Sequence, residues 1–175
     1  EQHDDEQHDA GDPHVWLDPT LVIDVVDEIE AVLADAGVET CADDVETALT
    51  ELDQQLVEIL AVVANDDRVL VTGHDSFAYF ANRYGFEVLG AVVPATSTLA
   101  EPSAGELAEL TELIEERSVR AIFTDAFETA VDADALGERL GIPVVALATG
   151  SVTDDAPTYA AMMTANARAI ADALS

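Results

Sequence analysis

Between Leu21 and Ala36 the apolar positions Leu21, Val22, Val25, Val26, Ile29, Val32 and Leu33 recur with helical spacing, and Gly37 supplies a stop. A second, longer helix is expected next. Asp43 and Asp44 suit a helix amino end, and Val45, Leu49, Leu52, Leu56, Ile59, Leu60 and Val63 form a heptad-like stripe that would make a rigid spar. After Asn65-Asp66-Asp67 the pattern changes. Short runs rich in Val, Ile, Leu and Phe at 68–72, 86–93, 119–124 and 143–148 read as strands. They alternate with helical segments at 76–84, 103–117 and 130–140, and the chain closes with a helix over about 158–174. Gly85 and Gly141 stand just past two of these helices, where a left-handed cap suits glycine.

This alternation predicts an α/β fold, a four-stranded parallel sheet with helices on both faces. Open parallel sheets bind ligands at the carboxyl ends of their strands. Here those ends carry Gly73-His74-Asp75, Pro94-Ala95-Thr96, Asp125 and Thr149-Gly150-Ser151. Residues 1–12 are polar, acidic and repetitive, and read as a loop or tail that carries His3 and His8. The abrupt start inside such a segment suggests that sequence upstream is missing.

Charge changes the picture of the surface and of the partners. Asp and Glu total 37 against six basic residues, every one an Arg, for a net charge of −31. Strongly hydrated carboxylates keep a surface soluble where salt screens charge over roughly 3 Å at 1 M, so the composition points to a halophilic setting. It argues against nucleic acid and anionic lipid as partners. A single cysteine, Cys41, rules out an intrachain disulfide and a thiolate-rich zinc knuckle, so a metal here must use His and carboxylates. Cys41 itself reads as a small buried residue, and Met162 and Met163 as packing on the last helix. Arg117, Arg120, Arg139 and Arg168 read as partners for the abundant acids. No apolar run approaches the roughly 20 residues of a membrane span. Nucleophile elbow, phosphate-cradling loop and dinucleotide fingerprint are absent as well.

Five residues could carry chemistry. His74 follows an apolar strand and precedes a helix bearing Phe77, Phe80 and Tyr84; it is a metal ligand, a general base or a capping residue. His14 lies in Asp12-Pro13-His14-Val15-Trp16-Leu17-Asp18-Pro19, where two prolines stiffen the backbone and Trp16 offers an anchor. It is a ligand with Asp12 or Asp18 accepting its second ring proton, or part of a structural turn ahead of a helix. Asp125 ends its strand as a cleft ligand or a helix cap. His3 and His8 are weak metal collectors or a solvated tail.

Taken in order, the acidic His-bearing segment, the Asp12–Pro19 motif, a long helix, Thr72-Gly73-His74-Asp75-Ser76-Phe77-Ala78-Tyr79-Phe80 and Glu101-Pro102-Ser103 resemble the zinc and manganese solute-binding proteins of ABC importers. In that family two lobes are joined by one rigid helix and the metal sits between them. The resemblance implies a loop at 1–12, the end of a first lobe at 13–40, a linking helix at 41–66 and a second α/β lobe at 67–175, most of the first lobe lying outside this chain. It implies that His14 and His74 are ligands from the two lobes, that His3 and His8 belong to a His-rich loop, and that imidazoles favour zinc over manganese. The family's upstream histidine has no counterpart here, and its late acidic ligand falls at Gly150, leaving water, Asp125 or a loop residue to complete the shell.

The expected function is capture without turnover, by neutral imidazoles whose affinity for the ion falls as they gain protons. The implied partner is an ABC permease in the membrane. The implied location is extracellular, with a lipid anchor in upstream sequence and no membrane insertion by this chain. The alternatives are a metal-dependent hydrolase, which needs a third ligand and a general base, and a degenerate fragment that binds no metal.

Overall fold

The computed structural model describes residues 12–93, 102–127 and 130–175. Ten regular elements follow one another in these residues: α1 (Pro19–Asp35), α2 (Ala42–Leu60), β1 (Val69–His74), α3 (Ala78–Tyr84), β2 (Glu87–Val93), α4 (Ala104–Arg117), β3 (Ile122–Asp125), α5 (Val131–Leu140), β4 (Val144–Leu147) and α6 (Tyr159–Leu174). The strands form one parallel sheet in the order β2-β1-β3-β4. Leu70, Phe123 and Leu147 face a core closed by Leu56 and Leu60 of α2, Phe80 of α3, and Met163 and Ile170 of α6. Val69, Val71, Val92 and Ile122 face the opposite side, covered by Leu110 and Ile114 of α4 and Leu136 of α5. The fold is therefore the expected α/β sandwich, preceded by a long helix. The chain leaves β1 toward β2 and later returns to β3 on the other side of β1, so the strand order reverses between the carboxyl ends of β1 and β3. A crevice opens at such a point.

Local chemistry sets the boundaries. Ser103 and Glu106 form a capping box that starts α4, and Gly85 and Gly141, both at φ 71°, take the left-handed positions that end α3 and α5. The strand expected at 119–124 begins only at Ile122. Ser118 is left-handed and Val119 donates back to the Ile114 carbonyl, so Val119 is buried as part of the stop of α4. β1 runs further than expected because its ladder with β2 continues through Thr72–Ala91 to His74–Val93. α3 starts correspondingly late, at Ala78.

Met162 and Met163 are buried in the core as expected. Cys41 is not; it is exposed, at the amino end of α2 where the chain turns through solvent after α1. On the buried stripe of α2, Asp53 pairs with Arg83 and accepts from the Tyr84 hydroxyl at 3.1 Å. Arg117 pairs with Glu87, Arg120 with Asp67, and Arg139 donates to the Thr111 hydroxyl rather than to a carboxylate. α1 packs along α2 and leaves Val25, Ile29 and Val32 exposed, the last at 69%. Where the two helices cross, carboxylate oxygens of Glu30, Asp43 and Glu46 lie within 4.8 Å of one another. A hydrogen bond with Asp27, reinforced by burial and the nearby charges of Asp27, Asp43 and Glu30, holds the Glu46 carboxyl above its ordinary range.

Candidate metal centre

His14 sits at the start of a single 3-10 turn, Val15–Leu17, between Pro13 and Pro19. Leu17 is fully buried and plugs the turn into the core. Of the two acids that could orient His14, Asp12 takes that role: its Oδ1 accepts from the His14 backbone N–H at 2.9 Å and lies 2.5 Å from Nδ1. Asp18 instead caps α1, accepting from the Thr20 backbone N–H at 2.8 Å and hydroxyl at 2.7 Å. A proton on Nδ1 facing Asp12 leaves the Nε2 lone pair of His14 available to a cation.

His74 is the last residue of β1 and only 5% exposed. Its Nε2 lies 3.4 Å from His14 Nε2, with the rings tilted 54° and their centroids 5.3 Å apart. For zinc bound tetrahedrally at roughly 2.0–2.1 Å, the separation between two ligand nitrogens is about 3.4 Å. The observed separation of the two imidazole nitrogens equals one edge of such a tetrahedron.

Asp125, at the end of β3, is buried, and both its oxygens are engaged. Oδ1 accepts from the Phe127 backbone N–H at 2.7 Å; Oδ2 accepts from the Thr149 backbone N–H at 3.1 Å and from the Thr149 hydroxyl. This carboxylate ties the exit of β4 to the exit of β3. Asp125 also shares with His74, Gly73, Thr124 and Asp132 a cavity of about 310 Å³ at the strand ends. Asp132, in the first turn of α5, was not distinguishable in the sequence from the other helix-start acids. His3, His8 and the Pro94–Thr96 strand exit lie outside the described residues.

Trp16 joins this segment to the far end of the chain. Its indole N–H donates to the Thr149 carbonyl at 2.6 Å, and the Tyr159 hydroxyl donates to the Trp16 carbonyl at 2.7 Å. Burial, with the charges of Asp18 and Asp53, pushes the Tyr159 hydroxyl up, so it stays a donor at neutral pH.

The α/β fold is similar to that of periplasmic metal-binding proteins of known structure. The periplasmic zinc-binding protein TroA from Treponema pallidum superposes with a TM-score of 0.79 at 28% identity, covering 94% of this chain and 64% of that one. The same protein in sequence is 32% identical over 179 residues, 94% of this chain and 58% of the relative. The manganese-binding lipoprotein MntA of Bacillus subtilis is 36% identical over 121 residues, 66% of this chain and 39% of the relative. The chain matches the family described as zinc-uptake complex component A, periplasmic, over residues 1–173, and it belongs to that family. It spans between 39% and 58% of the length of these two curated relatives.

Proposed function

We propose that this chain captures a divalent metal, zinc first and manganese as the alternative, outside the cytoplasm and presents it to an ABC-type import permease. The observation that carries this reading is the 3.4 Å approach of His14 Nε2 and His74 Nε2, with Asp12 behind His14. Two lone-pair nitrogens facing each other at that distance repel unless a proton or a cation lies between them. Relatives named for zinc and for manganese support both metals. His14 and His74 are the proposed ligands. Asp125 is a further ligand only through an oxygen that also serves Thr149 or Phe127, and His3 and His8 are proposed as an outlying collector.

The reading is binding rather than turnover, supported by the engagement of Asp125 with backbone and hydroxyl donors, which leaves it poorly placed as a general base. Residues 13–40 are read as the end of a first lobe, 41–66 as the linking helix and 67–175 as the second lobe. The exposed apolar face of α1 supports that division, as a surface suited to further protein. Among the described residues no helix is long and apolar enough to cross a membrane. Relatives described as lipoproteins support a lipid-anchored, extracytoplasmic location, and the charge of −31 supports a saline one.

Calorimetric titration of the metal-stripped chain with zinc in molar potassium chloride tests this reading. One zinc per chain, released as the pH falls and imidazoles take up protons, is the expected result. No uptake, or uptake that disappears when residues 1–11 are removed, refutes it. Asp12→Asn should weaken zinc binding about 10- to 100-fold, because an amide cannot hold the Nδ1 proton as a carboxylate does. An unchanged affinity would remove Asp12 from the site.

A further inference from the structure

His14 and His74 are 60 residues apart in sequence, and a single 3-10 turn has little rigidity of its own. The orientation of His14 must come from what its turn touches, and those contacts lie far along the chain. Asn166 of α6, itself buried, pins Ala148 in both directions, accepting from its N–H at 2.9 Å and donating to its carbonyl at 2.8 Å. Asp125 holds the next residue, Thr149, through two hydrogen bonds. The Thr149 carbonyl, fixed in this way, accepts from the Trp16 indole, and Tyr159 at the start of α6 holds the Trp16 carbonyl. The Trp16 ring meets the His14 imidazole edge-on at 5.3 Å.

Resting on the metal-capture reading, we propose that Trp16 and Tyr159 are positioning residues that fasten the His14 turn to the strand ends carrying His74, so that the imidazole pair is set before the metal arrives. His14 then behaves mechanically as part of the sheet-bearing lobe, and the entropy of bringing the two ligands together is met during folding rather than on binding. The effect falls on release. An ion held by two fixed nitrogens leaves only when both let go, whereas a loosened turn lets His14 swing away and leaves the ion on His74.

The test measures zinc release from the full chain into excess chromogenic chelator, with cobalt(II) absorption as a report on coordination geometry. Tyr159→Phe deletes one hydroxyl donor and keeps its ring; Trp16→Phe deletes the indole donor and leaves a smaller aromatic ring beside His14. Each should speed release about five-fold, the scale of one neutral hydrogen bond, and alter the cobalt bands. Ile170→Val, a core change on α6 away from these hydrogen bonds, serves as a stability control and should change neither. Should Tyr159→Phe fail to fold, Trp16→Phe carries the test alone. Release and cobalt spectra like those of Ile170→Val in the positioning variants overturn the proposal and leave metal capture standing. Zinc release that His74→Ala leaves unchanged overturns both.

Discussion

His74→Ala should lower zinc affinity by at least about a hundred-fold, a larger loss than removal of an outer partner brings. The described site offers two imidazole nitrogens 3.4 Å apart, and Gly150 brings no side chain to the loop after β4. Removing His74 leaves His14 as the single described imidazole, and one neutral nitrogen competes poorly with water for a divalent ion. His14→Ala should produce a loss of the same order. Titration of both variants in molar potassium chloride, beside the melting temperature of the metal-free proteins, separates loss of a ligand from loss of fold. A loss below ten-fold in His74→Ala would move the metal elsewhere.

The second large effect is expected at Arg68. Its guanidinium donates to the Leu60 carbonyl at 3.0 Å and to Val63 at 3.2 Å, at and just beyond the end of α2, and to the Tyr84 carbonyl at 2.6 Å at the end of α3. It also lies 5.3 Å over the Phe86 ring. The last carbonyls of a helix lack intrahelical donors and carry the negative end of the dipole, so one cation here satisfies two helix termini together. Arg68→Ala should destabilise the protein by about 3 kcal/mol, since charge-assisted bonds to partly buried acceptors are lost at once. For a chain of this size that is a drop in melting temperature of roughly 6–12 °C. Arg68→Lys should recover only part of it, because a single ammonium cannot reproduce the planar fork. A shift under about 2 °C for Arg68→Ala would show that water replaces the guanidinium without penalty.

Neither Arg68 nor the pairing of buried Asp53 with exposed Arg83 was legible in the sequence, for one physical reason. A charge marks a position as polar, and only the fold brings its partner from 16 or 30 residues away. What sequence does carry is period. The change from helical spacing to short β-branched runs after Asn65-Asp66-Asp67 marks the sheet, and glycines mark two helix ends at Gly85 and Gly141. Strand ends were harder to read. Val119 looks like strand by composition yet closes α4, and His74 looks like loop yet stays in the ladder with Val93. His14 and His74 could be singled out by position, one bracketed by prolines and one at a strand end. That they meet, that Asp12 rather than Asp18 stands behind His14, and that Thr149 and Phe127 engage both oxygens of Asp125, are facts of tertiary structure.

Where α1 meets α2 the carboxylates of Glu30, Asp43 and Glu46 crowd together, and a hydrogen bond with Asp27 beside these charges holds the Glu46 carboxyl above its ordinary range. A carboxyl whose folded pKa is raised favours the folded state at low pH and loses that contribution as pH rises through its folded value. Dissolved cations do the same work without protonation, since at 1 M salt charges are screened beyond roughly 3 Å. Salt and acid therefore act on the same contact: each relieves the repulsion among the carboxylates where α1 meets α2, and dilution at neutral pH should restore it.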